Sequence, residues 1–282
     1  MSNPSRCLRK RMPPNVPGEL RLAALHWLVE PNPVLKSDGV IALGEAWKNG
    51  EILLETDAFL TALQPIPGRP QLPELVSYLS VPRRSMRTEE GRAALIHALT
   101  HIEFNAINLA LDAIWRFPEM PREYYADWLK VAAEESKHFS LLADHLGTKG
   151  YTYGDFAAHN SLWDMVEKTT DDILARMALV PRTMEARGLD ASPPLRAKLA
   201  QAGDIAAAEI IDIILADEIG HVLIGNRWYN WICESRCLEP VSTYTSLAEI
   251  YQAPTLRGPF NIEARRAAGF SESELMALAA MK

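Results

Sequence analysis

Two short strings in this chain place a carboxylate and an imidazole three residues apart: Glu135-Ser-Lys-His138 and Glu218-Ile-Gly-His221. Residues three apart on a helix are neighbours on one face, so each pair can offer an oxygen and a nitrogen to the same metal ion. With 23 glutamates and 7 histidines in 282 residues, about half a Glu-x-x-His match arises by chance, whereas two occur. Both are in phase with apolar faces. Glu135 is in register with Val131, His138, Phe139 and Leu142, and Glu218 with Ile211, Ile214, His221, Val222 and Gly225. A carboxylate facing a core is tolerated only when charge or metal accompanies it.

Helical bundles that bind two metal ions through carboxylates take one such pair from each of two helices and one glutamate from each of the other two. The first long helical stretch offers Glu103, on a face with Leu99, Ala106, Ala110 and Ala113. The third offers Glu185, four residues after Pro181, with Glu167 as the alternative nearer its start. The candidate ligands are therefore Glu103, Glu135, His138, Glu185, Glu218 and His221. Four carboxylates and two imidazoles form an oxygen-rich donor set whose negative charge offsets two divalent cations. Such donors suit iron or manganese, whereas zinc usually takes four ligands with more nitrogen or sulfur. The expected cofactor is two iron ions, with manganese or a mixed manganese–iron pair as the alternative. The bland reading is a metal-free core in which these groups hydrogen-bond one another, which is costly for buried charges.

The elements that must position these residues are helical. Thr88 can cap a helix whose first turn is acidic, and apolar residues recur at Leu95, Leu99, Ile102, Ala106, Leu109 and Ala113 until Phe117-Pro118 ends it. A second helix is expected from about Pro121 to Leu146. A third is expected from about Ser161 to Arg187, kinked at Pro181 and stopped by Gly188. A fourth is expected to open at Pro193-Pro194 and reach about Cys233. No strand pattern is present. The fold class expected is all-α: a ferritin-like antiparallel four-helix bundle over residues 88–237, with an N-terminal proline-rich arm over 1–87 and a C-terminal helical extension over 238–282. The arm carries helical patterns around Glu19–Leu28 and Gly39–Thr61, and its Pro65–Pro73 stretch cannot be a regular helix. In the extension, Ser271 and Glu274 form a capping-box pattern before a last helix near Ser271–Met281.

Composition narrows the function classes. A net charge of -7 gives no bulk attraction for nucleic acid or an anionic membrane. The basic run Pro82-Arg83-Arg84-Ser85-Met86-Arg87 reads as a solvated linker. No apolar run approaches membrane-span length and no signal-peptide pattern follows the basic residues 1–11, so the cytoplasm is the expected compartment. Cys7, Cys233 and Cys237 form no Cys-x-x-Cys pair and read as reduced thiols. His97 and His101, four apart near Glu103, could support the ligands, but core or surface histidines are the commoner case. Glu134 and Asp217 adjoin ligands but lie about 100° off the ligand face, which points them to a neighbouring helix or solvent. Trp115, Trp128, Trp163, Trp228 and Trp231 are assigned to packing.

The segments His101-Ile-Glu-Phe-Asn-Ala-Ile-Asn-Leu-Ala-Leu-Asp112, Ala133-Glu-Glu-Ser-Lys-His-Phe139, Met184-Glu-Ala-Arg-Gly-Leu-Asp190, Asp217-Glu-Ile-Gly-His221 and Arg257-Gly-Pro-Phe-Asn-Ile-Glu-Ala-Arg-Arg266 resemble the bacterial DUF455 family of ferritin-like proteins. The resemblance runs from about Pro82 onward and more loosely before it. It implies a ferritin-like fold with a di-metal carboxylate site, and the six candidate ligands match the family's ligand positions. One departure is Asn108, where relatives are expected to carry glutamate. A more distant likeness, at the level of fold alone, is to the tRNA hydroxylase branch of ferritin-like proteins.

The resulting expectation is a non-haem di-iron carboxylate protein acting as an O₂-dependent oxidoreductase, an oxidase or hydroxylase. Its partners would be O₂ and a small-molecule or modified-macromolecule substrate, and no catalytic side chain is assigned beyond the ligands. The alternative is iron or manganese handling or storage without an organic substrate, and a third reading is a purely structural helical module. Substrate and oligomeric state are not legible in the residues.

Overall fold

Most of the described helices begin where a side chain can take up the unpaired amides of the first turn. The computed structural model describes Pro13, residues 15–82 and residues 84–280; the basic N-terminal run with Cys7, Arg83 and Met281 lie outside them. Glu19 caps α1 (Leu20–Val29), and Asn32, followed by Pro33, caps α2 (Pro33–Lys48). The Thr88 hydroxyl accepts from Gly91 N at 3.1 Å at the start of α3 (Glu89–Arg116), as the sequence predicts. α4 follows at Arg122–Thr148 and α5 at Ser161–Lys168. Asp172 caps α6 (Ile173–Leu179), which leads through a π turn (Val180–Glu185) into α7 (Ala186–Gln201). Asp204 caps α8 (Ile205–Ser235), Glu239 caps α9 (Pro240–Ile250) and Asn261 caps α10 (Ile262–Ala267). In α11 (Glu272–Ala280) the expected capping box is present: Ser271 N donates to Glu274 Oε2 at 2.9 Å, and Glu274 N to Ser271 Oγ at 3.4 Å. Among the described residues there is no strand, only the isolated parallel bridges Glu19–Leu53 and Leu75–Ala158.

The chain forms two compact units, one of the residues up to Gln71 with Ala106–Ser140, the other of Leu72–Asn105 with the residues from Leu141 on. In the first, α1 and α2 pack closely at Gly39, where a Cβ would stand 2.2 Å from the Trp27 ring. Lys36 is fully buried. Its ammonium donates to Leu28 O at 3.2 Å, to Gly68 O at 3.0 Å and to Asn108 Oδ1. Burial holds its pKa well below the ordinary lysine value. Asn108 thus has a structural partner in Lys36. In the second unit, Leu142, Leu146, Leu199, Ala208 and Ile211 build one apolar cluster, and Ala186, Leu189, Val222, Ala268 and Leu275 another.

Three helix boundaries differ from the sequence expectation. The second arm helix starts at Pro33 and ends at Lys48 rather than spanning Gly39–Thr61, because Pro33 suits a first helical position and Gly50 turns the chain at φ +74°. The third long helix is broken at 169–172, where Asp172 turns its carboxylate onto Leu174 N at 2.9 Å and starts a new helix. Gly188 does not end a helix and Pro193-Pro194 do not begin one; all three lie inside α7. Proline without an amide leaves the carbonyl four residues back without its helical donor. For Pro193 that carbonyl is Leu189 O, and Asn261 Nδ2 donates to it at 3.2 Å. A tertiary contact therefore carries the helix through a sequence that reads as a boundary.

The same contact zone contains a buried ion pair. Arg265, 1% exposed, donates to Asp190 Oδ1 at 3.0 Å and Oδ2 at 2.6 Å, and also to Ala186 O at 3.2 Å. Removing one member of such a pair leaves the other charge buried and costs about 3–5 kcal/mol. Arg265→Ala is expected to lower unfolding stability by about that amount in urea titration; a change within error would show that the pair does not hold the C-terminal segment.

Candidate metal centre

The ligand atoms of Glu103, Glu135, His138 and Glu218 all lie within 4.8 Å of one another, and all four residues are buried. Glu103 comes from α3, Glu135 and His138 from α4, and Glu218 from α8. Helical periodicity turns each toward an interior face, and the exposures of 4%, 0%, 0% and 8% keep them from water. Three carboxylates at this range repel by about 3–4 kcal/mol per pair at an effective dielectric near 20. Shared protons or a cation must offset that.

The donor set fits a cation. His138 Nδ1 stands 3.2 Å from Glu135 Oε2. Two donors about 2.1 Å from one ion, at angles between octahedral and tetrahedral, lie about 3.0–3.4 Å apart. In the second Glu-x-x-His pair, His221 Nδ1 is 3.6 Å from Glu218 Oε1, slightly wider. His221 is fully buried on α8, and Glu185, 8% exposed, closes the π turn. These two complete the six residues picked from the sequence, and the structure places both inside the protein. The four that share the 4.8 Å group include neither. Glu167, the alternative on the third stretch, instead accepts from Trp163 Nε1 at 2.8 Å. No cysteine joins a metal-binding group among the described residues; Cys233 is buried in α8 and Cys237 exposed after it. Oxygen dominates the set, which suits iron or manganese over a thiolate-seeking metal.

The π turn has a local cause. Pro181 cannot donate an amide, and the chain re-forms its ladder with Ala186 N donating to Pro181 O, five residues back. The Thr183 hydroxyl likewise donates to Ala178 O at 2.8 Å. Gly225 on α8 lets Pro181 approach, since a Cβ there would stand 2.5 Å from Pro181 Cβ. The sequence signalled a kink at Pro181 but not that it would take π form.

The other polar residues have structural partners. His101 Nδ1 is 2.8 Å from the Tyr153 hydroxyl, and its Nε2 is 3.2 Å from His159 O. His97 Nε2 accepts from Gly154 N at 2.9 Å, and its ring stacks on Tyr153. Both are core histidines. Glu134 pairs with Lys130 at 2.8 Å on the surface. Tyr124 and Tyr125 donate to Ala113 O and Phe117 O, and Tyr229 to Pro240 O. Four of the five tryptophans assigned to packing are buried, and Trp231 is 41% exposed. In the basic run, Arg84 pairs with exposed Glu90 at 3.1 Å. Sequence reading missed Arg182, which is buried within the π turn, one residue after the proline; a charged side chain within an apolar stretch was the available signal.

A family model described as "Protein of unknown function (DUF455)" matches residues 29–276, a span that contains all six candidate ligands. A protein of Haemophilus influenzae, described as an uncharacterized protein, is 53% identical over 213 residues, covering 73% of this chain and 74% of its own length. No solved structure matches. No helix of the described residues is long and apolar enough to cross a membrane.

His97 gives a pH prediction. Burial, partly opposed by Asp155 and reinforced by Arg84, pushes its pKa from 6.5 down to about 4. Between those values the unfolded chain binds a proton that the native chain does not, so stability falls as pH drops through the window. His97→Gln, which can still accept from Gly154 N, is expected to show a shallower loss of urea midpoint between pH 7 and about 4. Parallel profiles for variant and parent would contradict this.

Proposed function

This chain belongs to the DUF455 family, and on that premise we propose that it is a non-haem di-metal carboxylate protein, with iron as the resident metal, that works as an O₂-dependent oxidoreductase. The observation that supports this reading is the convergence of Glu103, Glu135, His138 and Glu218 on one buried point. In the proposed arrangement Glu185 and His221 join them, and residues 88–237 form a ferritin-like four-helix bundle flanked by the arm 1–87 and the extension 238–282. Held by these residues, ferrous iron would supply the reducing electrons for O₂ chemistry. The chain's own part is to bind, orient and keep dry. The carboxylates would neutralise cationic charge, and the imidazoles of His138 and His221 would add nitrogen donors. Phe104 and Phe139, next in sequence to Glu103 and His138, are themselves buried and add apolar bulk around the helices that carry the ligands.

The test is metal content and O₂ uptake. Anaerobic ferrous loading followed by desalting is expected to leave two irons per chain, and exposure to O₂ to consume the gas in proportion to bound iron. Glu135→Ala combined with His138→Ala should abolish at least one equivalent of binding without unfolding the helices, as followed by circular dichroism. Retention of full metal content in that double variant would overturn the site. Stoichiometric iron binding with no O₂ uptake, or a very large assembly on sizing chromatography, would favour metal handling or storage over an oxidoreductase.

A further inference from the structure

Glu185 is bracketed by contacts to the C-terminal extension. On its N-terminal side, Arg182 is 5% exposed and donates through Nη2 to Glu274 of α11. Its guanidinium also lies 4.9 Å from the Tyr244 ring centroid and 5.1 Å from that of Phe270. The Thr183 hydroxyl gives its single proton to Ala178 O, so the Tyr244 hydroxyl, 3.0 Å away, must be the donor in their contact. On the C-terminal side, Arg265 grips Asp190 and Ala186 O, while Asn261 N donates to Asp190 Oδ1 at 2.8 Å. Four residues within 182–190 (Arg182, Thr183, Ala186 and Asp190) are thereby tied to five in the segments of the last three helices (Tyr244, Asn261, Arg265, Phe270 and Glu274), on either side of one carboxylate. The stretch so held is the least regular part of its helical run, because Pro181 removes an amide donor and Pro193 and Pro194 remove two more. A ligand on an irregular turn needs support from outside its own element to be aimed.

We propose that the C-terminal extension is a positioning clamp for Glu185, with Glu274 and Tyr244 as positioning residues that act through the π turn. This rests on the reading of Glu185 as a metal ligand. Neither residue would touch the metal. Their effect is to restrict the π turn to the conformation in which the Glu185 carboxylate faces the other ligands.

A double-mutant cycle in the intact 282-residue chain tests it, with Co²⁺ as a redox-stable probe. Its affinity is read by competition with a chromophoric chelator, and its coordination by visible absorption. Glu274→Ala is expected to weaken Co²⁺ binding about tenfold or more and to alter the absorption bands, and Glu274→Gln, still able to accept from Arg182, to recover part of both. In a Glu185→Ala background, Glu274→Ala should cause no further loss. Equal loss in both backgrounds, or no loss beside a clear effect of Glu185→Ala, would overturn the clamp while leaving Glu185 as a ligand. No effect of Glu185→Ala, or no Co²⁺ binding by the parent chain, would remove the ligand reading and the clamp with it. Should Glu274→Ala fail to fold, Tyr244→Phe, which loses only a hydroxyl, takes its place in the cycle with the same criteria.

Discussion

Carboxylates that crowd together away from water repel one another, and the placement of Glu103, Glu135 and Glu218 around His138 makes that repulsion the constraint to which the surrounding structure answers. The cost is acceptable only where the groups are held so that a cation or shared protons can serve all of them. Long helices meet this requirement well. Once the apolar faces of α3, α4 and α8 are buried, each ligand's height and direction are set by a rigid backbone, and little freedom remains to be lost on binding.

The segment between α6 and α8 is held in a different way. Pro181 interrupts the ladder and the chain answers with a π turn, a form that recurs at functional sites. Pro193 and Pro194 then remove two amides within α7. The group that compensates at the carbonyl of Leu189 comes from far along the chain, from Asn261, and Arg265 adds bonds to the Asp190 carboxylate and to the carbonyl of Ala186 beside it. The Glu-Ala-Arg-Gly-Leu-Asp and Arg-Gly-Pro-Phe-Asn stretches on which the family resemblance rests therefore have a physical meaning as a pair. Asn261 of the second stretch donates to Asp190 Oδ1 and to Leu189 O of the first, and Phe260 and Phe270 lie against the Arg265 guanidinium, 5.3 and 5.2 Å from their centroids.

Two kinds of buried polar group stand out among the described residues. His97 accepts the Gly154 amide at Nε2, His101 bonds the Tyr153 hydroxyl and His159 O, and Lys36 and Arg176 donate to backbone carbonyls, as polar groups of a packed core do. Glu103, Glu135, His138 and Glu218 instead converge on one another. That contrast, more than burial itself, separates a candidate metal centre from an ordinary polar core, because mutual convergence of like charges is what a packed core avoids.

The residues alone determined the helical class, the caps at Thr88 and Ser271, and the Glu-x-x-His pairs with their inward phase. All of these are local: a cap is decided within three residues and a helix face within two turns. The same locality explains the failures. Pro193-Pro194 read as a helix start because, by its own neighbours, a proline pair belongs there, and only Asn261, 72 residues from Leu189, makes a helix interior possible. The third stretch, expected as one helix, is broken where Asp172 takes up the Leu174 amide. Which polar residues converge, and which are satisfied separately, was decided by tertiary structure alone. Helical phase gives a side chain its direction, but not the identity of the group that another helix brings opposite it.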